Sequence, residues 1–245
     1  MNIKNKKMDK RKILFFDIEV SPSLGYVWGK WETNVIAYKE HWGLLCFSAK
    51  WEGEKTKIYS LRTYKTEEKL VKELWKLFDE ADIIIAHNGI QFDTKKSNAL
   101  FLRHHLTPPS PYKQIDTKVI AKKYFRFDSN KLDDLGDFLK IGRKIQTGGF
   151  DLWLGCMKND KKSWLLMEKY NIQDTDLLEK IYKRLLPYIE NHPNLGILQG
   201  RKSDCPNCGS SHIQSRGYGI NSKTKYQRLQ CAECGSWFKG ENIKI

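Results

Sequence analysis

No stretch of this chain approaches the roughly 18 consecutive apolar residues of a membrane span. The longest apolar run near its start, Ile13-Leu14-Phe15-Phe16, is stopped by Asp17. That run is also too short for a secretory leader, whose apolar region needs ~7–15 residues. The chain therefore reads as soluble and cytoplasmic, with no membrane partner. Internal repeats and low-complexity tracts are missing too. With 40% hydrophobic and 12% aromatic residues, the composition excludes a disordered or collagen-like chain. A length of 245 residues suits one domain of up to ~200 residues plus a small module, and leaves no room for a complete polymerase or helicase.

Acid is the scarce charge: 29 Asp plus Glu stand against 43 Lys plus Arg, a net +14. Residues 1–12 and residues 201–245 each carry a net +5, which leaves only +4 on residues 13–200. A nearly balanced body between cationic ends is the pattern of an enzyme that handles a polyanion. Nucleic acid is the favoured partner, because its phosphates reward clustered Lys and Arg through counterion release. Ordinary solubility charge on flexible tails is the competing reading.

Four of the 6 cysteines form two similar pairs, Cys205-Pro-Asn-Cys208-Gly and Cys231-Ala-Glu-Cys234-Gly, with 22 residues between them. Two tight turns, each aiming two thiolates at one point, supply tetrahedral sulfur ligation for one structural zinc ion. A redox dithiol or two disulfides would have to explain this repetition in a short segment of a cytoplasmic protein. Cys46 and Cys156 sit among apolar neighbours and read as buried structural thiols. Forty-five residues build little core without a metal, so the C-terminal segment reads as a zinc ribbon. Its Arg216, Tyr218, Lys223, Lys225, Tyr226, Arg228, Trp237 and Phe238 mix cations with aromatic faces, as a module that tracks a nucleic-acid strand would. Aromatics covering a thin core, with solvated charges around them, are the plainer alternative.

The body alternates strand and helix patterns. Residues 12–20, 42–51 and 55–61 read as strands of a meander, and Ile83-Ile84-Ile85-Ala86 as a central parallel strand. Thr66 caps a helix running to about Glu80, and further helices are expected around residues 93–106, 117–125, 131–139 and 163–186. The fold class is a mixed-sheet α/β domain. The expected boundaries are a basic tail at 1–12, a catalytic body at 13–190, a linker at 191–203 and the ribbon at 204–245.

Within the first strand, alternation puts Leu14, Phe16, Ile18 and Val20 on one face and Phe15, Asp17 and Glu19 on the other. Two neighbouring carboxylates on a core strand repel unless a cation lies between them. On the late helix the stripe Leu166, Tyr170, Asp174, Leu177, Ile181 and Leu185 is apolar apart from one hydroxyl and one acid. An acid in such a stripe asks for a metal or a basic partner, whereas Asp176 points elsewhere. A third acid, Asp93, follows the short strand in Ala86-His87-Asn88-Gly89-Ile90-Gln91-Phe92-Asp93. Singly, Asp93 and Asp116 fit helix caps, Asn88-Gly89 a turn, and His87 a satisfied strand end. The order and number of the acids shift the balance toward a site.

Phe16-Asp17-Ile18-Glu19 resembles the first motif of the DnaQ-like DEDD 3′–5′ exonucleases. His87-Asn88 with Phe92-Asp93 resembles the second, and Tyr170 with Asp174 the third in its tyrosine form. The histidine form would need His where Lys169 stands. The resemblance spans about residues 12–186 and implies an RNase H-like fold, as in the proofreading domains of family B polymerases. It implies that Asp17, Glu19, Asp93 and Asp174 hold two Mg²⁺ or Mn²⁺ ions, hard cations that prefer oxygen. Tyr170 would orient the attacking water, and nucleoside 5′-monophosphates would leave a 3′ end, of DNA in preference to RNA. Asn88 and Phe92 would touch that strand, together with Arg216, Lys225 and Arg228 of the ribbon. A replication or recombination protein is an expected partner. Two alternatives stay open: a non-catalytic nucleic-acid-binding protein on a nuclease-like fold, and an internally cutting enzyme of the transposase or resolvase type.

Overall fold

Ile-Leu-Phe-Phe opens the central strand β1 (Ile13–Val20), and all four side chains are buried because layers cover both faces of the sheet. The computed structural model describes residues 11–32 and 34–243, so residues 1–10 of the expected basic tail lie outside the described residues. After β1 come a short hairpin, β2 (Leu24–Tyr26) and β3 (Ala37–Glu40), and then β4 (Leu44–Trp51) and β5 (Lys57–Ser60). Helices α1 (Leu61–Tyr64) and α2 (Glu67–Glu80) lead to β6 (Ile83–Ala86), α3 (Asp93–Arg103) and β7 (Lys113–Asp116). The body closes with α4 (Thr117–Tyr124), α5 (Leu132–Phe138), α6 (Asp151–Met157) and the 25-residue α7 (Lys161–Leu185). A short α8 (Leu195–Leu198) precedes β8 (Ile213–Ile220), β9 (Lys225–Cys231) and β10 (Trp237–Ile243).

The main sheet has the order β5-β4-β1-β6-β7, antiparallel from β5 to β1 and parallel from β1 to β7. This is a mixed sheet flanked by helices. Period-two alternation along β1 splits the core: Leu14, Phe16 and Ile18 pack with α2 and α3, while Ile13 and Phe15 pack with Leu177, Leu178, Ile181 and Leu185 of α7. Each fully buried Leu or Ile there contributes about 1.5–3 kcal/mol, and that burial fixes α7 across the sheet. Hydrogen bonds from Ser48 Oγ to the Asn171 carbonyl (2.7 Å) and between Ser48 and Thr175 hydroxyls (2.6 Å) hold the same crossing.

The expected meander, the strand Ile83–Ala86 and the helix capped by Thr66 are all present. Helix α7 starts at Lys161, two residues before the expected point, because the Asp160 carboxylate caps it by accepting from Ser163 N at 2.8 Å. The hairpin β2–β3, strand β7 and helix α6 lie outside the expected elements. The stretch expected as a linker holds α8 and the buried His192 and Leu195. Among the described residues, no helix is long and apolar enough to cross a membrane.

Candidate active site

Alternation on β1 aims Asp17 and Glu19 at the α7 side of the sheet, and the α7 stripe aims Asp174 back at them. Carboxylate oxygens of Asp17, Glu19 and Asp174 lie within 4.8 Å of one another. Asp93, the first residue of α3, stands beside this trio rather than inside it. Strand β6 pairs with β1 only as far as Phe15, and the Asp93 Oδ1 accepts the Ile18 N–H beyond that point at 3.3 Å. Asn171, one turn before Asp174, donates its amide to Asp17 Oδ2 at 2.7 Å. A loop residue, Lys144, completes the group by donating to Asp174 Oδ2 at 2.5 Å and to the Tyr170 hydroxyl at 3.1 Å.

Burying several carboxylates together disfavours their charged forms. Burial, and then Asp93, Asp174 and Glu19, pushes Asp17 well above the carboxylate range. Burial and Asp174 push Glu19 up to about 8, and burial pushes Asp93 up to about 7. Asp174 is also raised by burial, although Lys144 pulls it down. Burial alone would lower Lys144, but Asp174 and Tyr170 raise it, so it stays a cation. Among the described residues, Asp174 Oδ1 is buried with no hydrogen-bond partner. Clustered oxygen donors, mutual repulsion and one orphaned oxygen together fit hard divalent cations, Mg²⁺ or Mn²⁺.

Beside Glu19 opens a cleft of about 580 Å³, lined in part by Val20, Ser21, Trp42, Lys96, Phe150 and Trp153. The Lys96 ammonium lies 3.6 Å from the centre of the Trp42 ring and 5.8 Å from that of Phe92, and no carboxylate is within salt-bridge distance of it among the described residues. Phe92, exposed at the start of α3, borders this side. Asn88 takes a left-handed φ of 68° and donates its N–H to Asp116, so it builds the turn before α3. His87 is a satisfied residue, bonded to the Thr117 hydroxyl and the Asn130 carbonyl, and burial holds it down at about 4. Asp116 caps α4 through Lys118 N and Val119 N.

A family model described as the RNase H superfamily matches residues 14–186. The chain belongs to the RNase H superfamily. No curated protein matches. Among solved structures, the family B DNA polymerase from the hyperthermophilic archaeon Pyrobaculum calidifontis is similar, with a TM-score of 0.56 and 13% identity. The likeness covers 74% of this chain and 25% of the polymerase chain, so this chain spans about a quarter of that protein's length, and the likeness is one of fold.

The RNase H superfamily match ends at Leu186, and the four paired cysteines lie beyond it. Cys205 and Cys234 place their sulfurs 3.7 Å apart, Cys208 and Cys231 theirs 3.5 Å apart, and all four lie within 4.8 Å. A tetrahedral zinc with Zn–S bonds of ~2.3 Å sets sulfur–sulfur edges at roughly 3.8 Å, which these thiols fit. Cys46 and Cys156 are buried and free, as expected. Arg216, Lys225 and Arg228 lie on the ribbon strands and are not among the acids. Lys144 and Asn171 at the acids, and Trp153 in the cleft, stand outside the residues expected from the sequence. Asn171 carries a signal, since it lies three residues before Asp174 on the helix. Lys144 carries none, because it sits in a loop without periodicity.

Proposed function

We propose that this chain is a metal-dependent 3′–5′ exonuclease that shortens single-stranded nucleic acid, DNA in preference to RNA, and releases nucleoside 5′-monophosphates. The observation that carries the reading is the meeting of Asp17, Glu19 and Asp174 within 4.8 Å, drawn from a strand and a distant helix, beside Asp93. Those four acids would hold two Mg²⁺ or Mn²⁺ ions, which when bound supply Lewis-acid stabilisation of a phosphodiester and a water acidified for attack. The chain's own groups do the rest. The Tyr170 hydroxyl, fixed by Lys144, orients a water toward the terminal phosphorus. Water's oxygen bonds to phosphorus as the bond to the penultimate 3′-oxygen breaks; that oxygen takes up a proton, leaving a strand with a new 3′-hydroxyl. The aromatic walls of the cleft offer stacking faces to the terminal bases, and Lys96 offers a cation to a phosphate.

The test pairs catalysis with metal binding. Asp17→Asn and Asp174→Asn keep the shapes but remove ligand charge, so each should abolish hydrolysis and weaken Mn²⁺ binding in calorimetry. Full hydrolysis by either variant would overturn the assignment.

A further inference from the structure

The ribbon sheet has the order β10-β9-β8, and its register sorts side chains into two faces. Directly opposed residues of antiparallel strands share a face. Gln230 opposes Trp237 and Gln214, Arg228 opposes Lys239, and Tyr226 opposes Asn242 and Gly219. Arg216 joins the same face, since its Nε donates to the Gln230 side chain at 3.1 Å. The opposite face takes Lys225, stacked over Tyr218 at 4.9 Å, together with Leu229, Phe238 and Ile243. Lys225 is thereby separated from the two arginines with which the sequence groups it.

The first face therefore holds three cations, Arg216, Arg228 and Lys239, and two aromatic rings, Tyr226 and Trp237. Arg228 lies 5.8 Å from the centre of the Trp237 ring and Lys239 lies 4.6 Å from that of Tyr226. None of the three cations is within salt-bridge distance of a carboxylate among the described residues. Gly219 is required for this surface, because a Cβ there would meet the Tyr226 side chain at 2.7–2.8 Å; its absence leaves room for the ring over that position. Aromatic rings alternating with cations that have no carboxylate partner among the described residues match the bases and phosphates of one strand.

We infer that this face of the ribbon is a second nucleic-acid site, which holds the single strand at a distance from the cleft where its end is cut. The inference rests on the proposed exonuclease reading only for the choice of a single strand as occupant. The Cys205–Cys208 turn docks just past the end of α7, where Asn207 donates to the carbonyls of Leu186 and Ile189; Leu186 lies about 12 residues beyond Asp174, roughly 18 Å at 1.5 Å per residue. A dinucleotide, at roughly 3.4 Å per stacked nucleotide, cannot bridge that distance.

The experiment uses the full chain carrying Asp174→Asn, so that the strand survives, and a fluorescent thirty-residue oligothymidylate. Anisotropy is measured across a salt series for this protein and for the same protein with Arg216→Gln, Arg228→Gln and Lys239→Gln. The triple variant should bind more weakly, and its log–log salt slope should fall by about 2, at roughly 0.7 per single-strand phosphate contact. Lys239→Gln alone should lower the slope by roughly 0.7, and Lys225→Gln, on the other face, should leave it unchanged. With Asp174 restored, Lys239→Gln should cleave a dinucleotide at the parental rate. One zinc equivalent in every variant shows that the ribbon is folded. An unchanged slope in both the triple variant and Lys239→Gln, or an equal loss in Lys225→Gln, would overturn the second site. Absence of dinucleotide cleavage by the parent would count against the exonuclease reading and leave the binding result standing.

Discussion

Asp174 combines an ion pair to Lys144 on one oxygen with a buried second oxygen that has no hydrogen-bond partner among the described residues. Asp174 is legible in the sequence because it interrupts an apolar stripe, as Asp17 and Glu19 are legible from strand alternation. Lys144 becomes visible only when the chain folds. Lys144→Met keeps much of the stem but removes the ammonium that holds both Asp174 and the Tyr170 hydroxyl. Turnover should fall ~10–100-fold, the scale for partners that orient metal ligands, with substrate affinity near the parental value. Tyr170→Phe should fall by a similar factor, whereas the double variant should lose little more, because the two groups act through one contact. Additive losses in kcat would separate them.

The same carboxylates predict a pH signature. Glu19 is pushed up to about 8 and Asp93 to about 7, first of all by burial. Their folded values stand above the unfolded ones, so folding favours the protonated forms. Their contribution to metal-free stability is therefore fully present below the ordinary carboxylate range and is lost as pH rises through 7 to 8. Divalent ions bind the charged forms and should offset this decline. The gain in Tm on adding Mg²⁺ should be larger at pH 8 than at pH 5.5 in scanning fluorimetry; equal gains would contradict the shifts.

At the scale of elements, α5 positions Lys144. Asp133 on α5 accepts the Lys144 backbone N–H at 2.6 Å, and Gly136 packs so closely that a Cβ would meet the Gly142 carbonyl at 2.4 Å and Leu177 at 3.1 Å. Gly136→Ala should destabilise the fold by ~1–3 kcal/mol through overpacking and displace the loop that carries Lys144. Thermal unfolding and kcat should fall together; a loss of stability with kcat intact would mean that the loop holds Lys144 without α5. Long periodic elements such as α2 and α7 are readable from residue spacing. The hairpin β2–β3 is not, because its strands of 3 and 4 residues are almost wholly exposed and carry no burial period. Strand β7 escapes for the converse reason: its 4 residues end in Asp116, whose capping role masks the strand before it.

At the scale of the whole molecule, the ribbon is joined to the body by more than a linker. Asn207 donates to the carbonyls of Leu186 (2.9 Å) and Ile189 (3.1 Å), Arg11 donates to the Cys208 carbonyl (2.6 Å), and Cys208 and Cys234 pack against the core beneath α7. Spacing shows the thiol pairs but not this docking, whose partners lie far apart in the chain. Metal analysis should find one zinc per chain. Cys205→Ser should lose it, together with about 2 kcal/mol from the two Asn207 bonds at ~1 kcal/mol each, or roughly 4–8 °C in Tm at this size. An unchanged Tm for the body would show that the docking contributes nothing.

The most direct test follows a 5′-labelled single strand of DNA incubated with the purified chain and Mg²⁺. A ladder that shortens one nucleotide at a time from the 3′ end, with nucleoside 5′-monophosphates as the soluble product, is the predicted result. Nicking of a covalently closed circle, or loss of the label in the first turnover from the 5′ end, would contradict it.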